Sequence, residues 1–410
     1  MSWRLLHILD HSLPLQSGYT ARTLAILRHQ RALGWHTIQL TGPRQAGCGG
    51  EQLLDGWHFF RTQTAASWWM RLPALRQLGA LAALCRRLRQ VALRERPDVL
   101  HAHAPACNAM AALRVGRALG IPVVYEIGTR LEGSLPDSGT TSGANAAASA
   151  TAGWHGRLAR ALDNYVLRRV DAVTTICDDM RQYLVTRGVP ADKVTVIPNA
   201  VDAGQFNVRR PAGGTLAHDL GLTGHLVLGF IGDLHHHQGV HLLIAALPAM
   251  LASVPSLQLL LVGGGPEAPR LHAQAAQLGL AHRVKFADAA DPAGIGAYYP
   301  MIDIMVFPRL ATPAARLDPS PGPLHAMAQG QLLVASDVTG HRELIEHGTT
   351  GMLFQSGDAD ALAAQVVQLL RQPQTWPVMR LQARVYVEQH RSWAASVARY
   401  SAIYQQLAPR

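Results

Sequence analysis

Short apolar or β-branched runs alternate along the chain with longer amphipathic segments. This alternation is typical of a parallel β-sheet wrapped by helices. The first half contains predicted strands at residues 5–9, 37–40, 99–101, 123–126, 172–175 and 194–197. The second half contains predicted strands at residues 227–231, 257–262, 284–286, 304–307, 332–335 and 351–354. We therefore predict two doubly wound, Rossmann-like α/β domains.

Two stretches break this alternation. Residues 199–226 are polar and carry the run Arg209-Arg210-Pro211-Ala212-Gly213-Gly214, a composition typical of domain linkers. Residues 136–156 are mostly Ser, Thr, Gly and Ala, which cannot bury enough apolar area to order themselves. This stretch is either a loop that closes over a ligand or a plain disordered insertion. The resulting prediction is a first domain over 1–205 with a mobile loop at about 133–156, a second domain over 206–385, and a C-terminal helix over 386–410, for which packing back onto the first domain is one expectation.

The composition agrees with a folded chain of this size. Of its 410 residues, 48% are hydrophobic and 16% are charged. No run approaches the ~20 apolar residues that a membrane span needs, and the N-terminal Leu5–Leu9 reads as a strand rather than a leader. We therefore expect a cytoplasmic protein. Its four cysteines show neither disulfide nor metal-site spacing, so buried thiols are expected.

A formal net charge of +10 favours anionic partners. The Arg-rich segments 86–89 and 167–169 lack the interleaved aromatic residues of a platform for single-stranded nucleic acid. We therefore predict no nucleic-acid partner, and we expect an anionic membrane surface or a sugar polyphosphate instead.

Two positions in the first half are candidates for ligand contact. Gly18 lies in a turn between a strand and a helix, where backbone N–H groups can approach an anion. A simple turning role is the alternative. His101 and His103 end another predicted strand, and the carboxyl end of a parallel strand borders the ligand crevice of a doubly wound sheet. One of them should point into that crevice, unless it is a structural histidine.

The most informative stretch runs from Ser320 to Gly330 and continues from Val334 to Leu344. Other segments belong to the same pattern, namely Asp10–Thr23, Glu126, Thr174–Cys177, Lys193–Asp202 and Val262–Pro266. With these motifs in this order, the chain resembles family-4-type retaining glycosyltransferases of the GT-B fold over essentially its whole length. In that fold two Rossmann-like domains face each other across a cleft. More narrowly, the chain resembles the glycosyltransferases associated with exosortase (PEP-CTERM) systems and exopolysaccharide synthesis.

This resemblance implies transfer of a sugar, with retention, from a nucleotide-diphosphate sugar to a lipid-linked or glycan acceptor. It implies no metal or other cofactor, and a location in the cytoplasm or on the inner face of the plasma membrane. It also implies His103 and Glu126 as catalytic residues. The implied donor-binding residues are Gly18, Asn199, Gly232, Gln238, Gly264, His325, Gly340 and Glu343.

The chain departs from the family pattern at several polar positions. Asp233 and Gln238 stand where the family has an Arg and a Lys that neutralise the leaving diphosphate. In the opening of the most informative stretch, the two carboxylates and the nearby cation of the pattern are replaced by Arg316, His325 and Gly322, although Asp318 lies close by. Gly128 also replaces an Arg, for which Arg130 can compensate. A catalytically impaired GT-B protein that serves the same pathway as a binding or scaffold protein is therefore the alternative function.

Overall fold

The computed structural model describes residues 2–15, 17–45, 50–63, 73–128, 157, 160–206, 215–288, 292–312, 317 and 319–407. The loop predicted at about 133–156 lies outside these residues, as do Arg130, Arg316 and Asp318. No helix in the described part of the chain combines the length and apolar character needed to cross a bilayer.

The described chain forms two compact units. The first contains the chain up to Asn199 and returns with the residues from Trp393 onward, whereas the second runs from Ala200 to Ser392. The predicted boundary at 205/206 therefore moves to 199/200, and residues 386–392 belong to the second unit. The reason is local hydrogen bonding, because Val201 N–H donates to the Arg391 carbonyl at 2.9 Å.

The first unit is built on one sheet. Its strands are β1 (Arg4–Leu9), β2 (His36–Thr41), β3 (Gly50–Leu54), β4 (Trp57–Arg61), β5 (Val99–His103), β6 (Val123–Ile127), β7 (Ala172–Thr175) and β8 (Val194–Val196). They lie in the order β3-β4-β2-β1-β5-β6-β7-β8. Neighbouring strands are parallel except for the β3–β4 hairpin.

The second unit contains a fully parallel sheet. Its strands are β9 (Val227–Ile231), β10 (Gln258–Val262), β11 (Val284–Ala287), β12 (Ile304–Phe307), β13 (Leu332–Ser336) and β14 (Met352–Phe354). They lie in the order β11-β10-β9-β12-β13-β14, with parallel pairing throughout. This is the doubly wound order, in which successive strands are added first on one side of β9 and then on the other.

Helices connect the strands of both units. They are α1 (Gly18–Ala32), α2 (Pro73–Glu95), α3 (Ala106–Leu119), α4 (160–169), α5 (Asp178–Thr186), α6 (Thr215–Asp219), α7 (Val240–Ser253), α8 (Ala268–Gln277), α9 (Gly322–Ala328), α10 (Thr339–Arg342), α11 (Ala359–Arg371), α12 (Trp376–His390), α13 (Trp393–Ala398) and α14 (Tyr400–Leu407). The last two complete the first unit, because Val397, Tyr400 and Tyr404 are buried against Leu5 and Val99 of its sheet.

The β3–β4 hairpin is absent from our predicted strands. Its turn is Asp55-Gly56, with φ values of 50° and 75°. An Asp-Gly pair with positive φ at both positions is a strong hairpin signal. The sequence therefore carried the information, since Leu53 and Leu54 precede this turn and Trp57, Phe59 and Phe60 follow it.

Candidate active site

A buried cluster of polar side chains lies where the strand order of the first sheet reverses, between β1 and β5. His7 in β1 is in register with His101 in β5, and His103 is in register with Glu126 in β6. Since side chains two residues apart in a strand share a face, His101 and His103 lie on the same side of the sheet. Doubly wound sheets bind ligands beyond the carboxyl ends of their strands at this reversal point. Of the two histidines, His103 is the last residue of β5 and thus the nearer to this end of the strand, and its contact with a ligand stays a prediction.

Glu126 is 3% exposed and is surrounded by hydrogen-bond donors. Arg22 Nη2 donates to its Oε1 at 3.0 Å, and the Tyr400 hydroxyl donates to its Oε2 at 2.5 Å. His101 Nε2 lies 3.0 Å from the same Oε2, but the two atoms do not have the geometry of a hydrogen bond. A buried carboxylate requires such pairing, because an isolated charge in the protein interior is very costly.

The environment keeps Glu126 ionised. Burial alone would raise its pKa, but the Arg22 guanidinium, then His103 and His101, hold the pKa of this carboxyl well below its usual range. Burial and the Glu126 charge raise the pKa of the Tyr400 hydroxyl well above its ordinary value. Tyr400 therefore remains a donor to a permanently charged acceptor.

Arg22 is a site residue that we did not predict from sequence. Its Nη1 donates to Asn199 Oδ1 at 2.8 Å, and its guanidinium lies 5.6 Å from the centre of the Trp393 ring. Asn199, predicted as a donor-binding residue, thus holds the cation that pairs with Glu126. An arginine in the middle of a helix carries no local signal for this role, since its partners are distant in sequence.

A second line of hydrogen bonds reaches His103. His103 Nε2 lies 3.0 Å from His7 Nδ1, and His7 Nε2 lies 2.9 Å from Gln30 Oε1. Gln30 Nε2 donates to the Tyr404 hydroxyl at 3.3 Å, which lies 2.9 Å from His101 Nδ1. The line of hydrogen bonds ends at His101, whose Nε2 lies 3.0 Å from the Glu126 carboxylate without a hydrogen bond between them.

Burial keeps His7 and His103 neutral. It lowers the pKa of His103 to about 3, although the nearby Glu126 charge acts in the opposite direction. Burial, assisted by His101 and His103, also lowers the pKa of His7 well below its ordinary value. At neutral pH, both imidazoles therefore carry one proton and one lone pair.

The three histidines also form the one group in the described chain whose geometry suggests metal binding. The ligand atoms of His7, His101 and His103 lie within 4.8 Å of one another, and imidazole suits several transition metals. However, the His7–His103 hydrogen bond occupies the two nitrogens that would have to turn toward an ion. The described geometry therefore favours a hydrogen-bonded cluster over a metal centre.

Gly18 begins α1, and the side chain of Ser17 caps this helix by accepting a hydrogen bond from Thr20 N–H at 3.1 Å. Among the described residues, no heavy atom would lie within 4 Å of a Cβ placed on Gly18. These residues therefore leave room for an anion at this helix N-terminus, and the predicted donor contact of Gly18 stays a prediction.

In the second unit, Gly232 and Gly264 follow β9 and β10, and their loops run side by side. Gly232 N–H donates to the Val262 carbonyl at 3.0 Å, and Leu234 N–H donates to the Gly264 carbonyl at 2.8 Å. Gly263, the residue directly after β10, has a φ of 133°. A Cβ on Gly263 would lie 2.2 Å from the backbone oxygen of Gly232. Only glycine allows this close approach.

Gly340 and Glu343 lie beyond β13. Gly340 is in α10, where a Cβ would lie 3.1 Å from Pro319 Cβ. The backbone carbonyl of Glu343 accepts hydrogen bonds from the Tyr386 hydroxyl at 3.2 Å and from Arg391 Nη2 at 2.7 Å. These contacts fix the position of the Glu343 backbone within the second unit.

The replaced positions of the second unit are neutral or acidic. Asp233 is exposed, and Gln238 ends the 3₁₀ turn His236–Gln238. His325 lies in α9 with its ring 5.7 Å from that of Phe206, and burial lowers its pKa. A Cβ on Gly322 would lie 2.8 Å from the Phe307 ring, so this position has no room for a larger side chain unless the ring moves.

Arg309 is a cation near the carboxyl end of β12 in the second sheet, and we did not predict it from the sequence. It follows β12 and is 4% exposed. Burial lowers the pKa of His341 to about 4, and the nearby Arg309 charge contributes to this shift. The second unit therefore has a buried positive charge beyond a strand end, although the expected Arg and Lys of the β9 loop are missing.

Comparisons with known proteins agree with this geometry. Residues 17–200 match the glycosyl transferase 4-like domain, and residues 225–372 match the glycosyl transferases group 1. The Anabaena protein HepE, solved in complex with UDP, superposes with a TM-score of 0.73 at 20% identity, over 98% of this chain and 100% of that one.

Two curated relatives are similar in sequence. A glycogen synthase of Mycobacterium tuberculosis is 29% identical over 281 residues, which are 68% of this chain and 61% of the relative. A GDP-mannose-dependent alpha-(1-6)-phosphatidylinositol monomannoside mannosyltransferase of Mycolicibacterium smegmatis is 29% identical over 240 residues, 57% of this chain and 63% of the relative. The matches thus span about three fifths of these relatives.

The two parallel-sheet Rossmann-like units and their structural neighbours define the protein as one of the GT-B fold, which confirms the predicted fold class. The chain belongs to the glycosyltransferase family that joins a glycosyl transferase 4-like domain to a group 1 domain. The narrower exosortase-associated subtype stays a prediction.

Proposed function

We propose that the protein transfers a sugar from a nucleotide-diphosphate sugar to a lipid-linked or polysaccharide acceptor, with retention at the anomeric carbon. The observation that carries this proposal is that His103 and Glu126 lie side by side on neighbouring strands at the strand reversal of the first sheet, with His103 neutral and Glu126 ionised. The relatives support it, since one is named a GDP-mannose-dependent mannosyltransferase and one neighbour was solved with UDP.

The proposed reaction requires no metal. Charge that develops on the leaving diphosphate would be stabilised by helix N-termini and by cations such as Arg309. The proposed setting is exopolysaccharide or cell-envelope synthesis, including an exosortase-associated pathway, on the inner face of the plasma membrane. Nucleic acid is not among the proposed partners.

A second candidate function is that of a catalytically impaired binding or scaffold protein in the same pathway. The observation that favours it is the set of residues at the carboxyl edge of the second sheet. Asp233 is exposed there, and a carboxylate repels a diphosphate. Losing one preorganised charge stabiliser typically costs ~10²–10³ in rate, so several losses would leave little activity.

Calorimetric titration with UDP-glucose, GDP-mannose and ADP-glucose in the presence of a chelator would separate the two candidates. The transferase proposal expects one donor to bind with a dissociation constant below the millimolar range, and that donor to be consumed when membranes supply an acceptor. Absence of binding at millimolar concentration would contradict it. Binding without turnover would favour the impaired protein.

The positional matching has its own test. The double variant His325→Glu with Gln238→Lys should bind the preferred nucleotide more tightly than the wild type, because it restores a ribose acceptor and a cation for the diphosphate. Gln277→Lys, on the exposed face of α8, adds the same charge elsewhere and should not change affinity. Unchanged affinity in the double variant would mean that these positions do not line the donor site.

A further inference from the structure

We propose that Asp10, His11 and Ser17 form a second reactive site, a Ser-His-Asp triad that hydrolyses carboxylic esters. The three residues lie between the end of β1 and the start of α1. A triad of this kind is recognised by the order of its contacts, and it recurs on unrelated folds with its members at unrelated positions in the sequence. Ester hydrolysis at this site is independent of the proposed sugar transfer.

Two hydrogen bonds join the three side chains in this order. His11 Nδ1 lies 3.2 Å from Asp10 Oδ2, and His11 Nε2 lies 2.9 Å from Ser17 Oγ. Because a carboxylate can only accept, a neutral His11 carries its proton on Nδ1 and turns the lone pair of Nε2 toward the Ser17 hydroxyl. A nucleophile bonded to a base that a third group orients is the diagnostic arrangement of nucleophilic catalysis.

The His11 ring is held in place by its neighbours. The Tyr19 ring packs on it with the ring centres 4.4 Å apart, and the Tyr19 hydroxyl accepts a hydrogen bond from Asp10 N–H at 3.1 Å. Arg44 Nη1 lies 3.8 Å from Asp10 Oδ1, the second oxygen of the carboxylate. Asp10 is thus a positioning residue, since it acts through the imidazole of His11.

The bonds around Ser17 leave its hydroxyl hydrogen for a base. Ser17 Oγ accepts from Thr20 N–H at 3.1 Å, and the Thr20 hydroxyl donates its own hydrogen to the Leu15 carbonyl at 2.8 Å. The Ser17 hydrogen can therefore go to the Thr20 oxygen at 3.1 Å or to His11 Nε2 at 2.9 Å. The imidazole nitrogen is the nearer acceptor and the stronger base. The bond from Thr20 N–H favours the charged form of the Ser17 oxygen.

The start of α1 supplies donors for the oxygen of a tetrahedral intermediate. The Gly18 and Tyr19 N–H groups lie in the first helical turn, which has no intrahelical acceptors for them, and the described residues provide none either. Where a serine nucleophile sits on a strand-to-helix turn, the N–H of the next residue forms part of the oxyanion hole. Apart from chain neighbours and the helix backbone, no described heavy atom lies within 4 Å of a Cβ placed on Gly18, so the ester can approach.

The proposed hydrolysis has two steps. In the first, Ser17 Oγ bonds to the ester carbonyl carbon and its proton moves to His11 Nε2. The bond from this carbon to the alcohol oxygen then breaks, and His11 returns the proton to the departing alkoxide. In the second step, water attacks the acyl-serine and gives a proton to His11, which passes it to Ser17 as the carboxylic acid leaves.

A fluorophosphonate probe and p-nitrophenyl acetate test the nucleophile in the full chain. We expect a covalent phosphonyl adduct that peptide mass spectrometry places on Ser17. We also expect hydrolysis of p-nitrophenyl acetate to begin with a burst of p-nitrophenol, the kinetic sign of an acyl-enzyme. An adduct on a different residue, or the absence of either the adduct or the hydrolysis, overturns the proposal and leaves Ser17 as the N-cap of α1 alone.

Substitution of Ser17 separates catalysis from helix capping. Ser17→Asn keeps an N-cap, because asparagine caps a helix about as well as serine, but it removes the hydroxyl. This variant should fold like the wild type and lose both the adduct and the burst. Ser253→Asn, at the exposed end of α7, is the matched control and should keep both. Hydrolysis that survives in Ser17→Asn overturns the proposal. If this variant does not fold, the position of the adduct in the wild type decides.

Variants of the other two members test the order of the triad. His11→Gln should slow the burst about a hundredfold, an ordinary contribution of a general base. Asp10→Asn should slow it at least about tenfold, and Asp10→Glu should recover part of the loss, because its carboxylate can again accept from Nδ1. A wild-type burst in His11→Gln would overturn the triad. Equal losses in the two Asp10 variants would overturn the positioning role of Asp10.

Discussion

At the scale of residues, the first unit is organised around one buried charge. Glu126 is paired with Arg22 at 3.0 Å and is held ionised by it. His7 and His103, in the same cluster, are held neutral by burial. Both effects make the protein less stable in acid, but over different pH ranges. The contribution of a carboxylate with a lowered pKa begins to be lost near the unfolded carboxylate pKa of about 4.3, whereas a histidine with a lowered pKa begins to cost stability below about 6.5.

The stability of the protein should therefore fall as the pH drops below about 6.5. The unfolded state protonates its histidines near that pH, while folded His103 stays neutral down to about pH 3. The unfolded state then binds more protons, and each such histidine removes about 1 kcal/mol between pH 6.5 and 5.5. Urea unfolding at both pH values measures this loss, and His103→Gln should reduce it by about 1 kcal/mol. A wild-type stability that does not change over this interval would contradict the assignment of buried neutral histidines.

At the scale of elements, strand ends and close-packed turns shape the candidate donor loops. The sequence predicted the strands β9 and β10 and the glycines after them. It could not predict that the two turns touch, because sheet neighbours are set by pairing between distant segments. In the structure, the φ of Gly263 and its closeness to the Gly232 oxygen explain why glycine is required there.

Substituting Gly263 should consequently destabilise the second unit. Gly263→Ala combines an unfavourable φ of 133° with a Cβ only 2.2 Å from the Gly232 oxygen, and we expect a loss of at least about 2 kcal/mol. Gly279→Ala is the matched control. It has a φ of 70° with no atom within 4 Å of the added Cβ, so only about 1 kcal/mol should be lost. Chemical unfolding compares the two, and equal losses would show that the contact with Gly232 does not matter.

At the scale of the whole molecule, the chain leaves the first unit at Asn199 and returns to it at Trp393. Tyr400 and Tyr404, which are fully buried, bring hydroxyl groups from the C-terminus to the polar cluster of the first sheet. The net charge of +10 is also a property of the whole chain. Part of it lies on α2, where Arg86 and Arg89 are exposed.

Anionic vesicles should bind the protein in a salt-dependent manner. We expect co-sedimentation with phosphatidylglycerol vesicles but not with phosphatidylcholine vesicles, and loss of binding as salt rises, because surface charges are screened. Removing two exposed charges with Arg86→Gln and Arg89→Gln should weaken binding about thirtyfold, at roughly 1 kcal/mol per charge. The double variant Arg270→Gln with Arg342→Gln lowers the net charge by the same amount at other exposed positions. It is the control for a nonspecific charge effect. Binding that ignores both lipid charge and salt would refute the proposed membrane surface.

The sequence by itself determined the alternation of strands and helices, the two-domain GT-B class and the glycines of the donor loops. Hydrophobic period and turn chemistry are local, so they can be read along the chain. The motifs also named His103, Glu126 and Asn199 as candidate site residues, but they did not predict the contacts of these side chains.

Only the tertiary structure decided which side chains meet. It brought Arg22, Gln30 and Tyr404 to the histidines and Glu126, and it gave residues 200–205 to the second unit. Hydrogen bonds between residues far apart in sequence leave no local pattern. The ionisation of Glu126 depends on such partners and on burial, so it follows from the folded chain and not from the motifs.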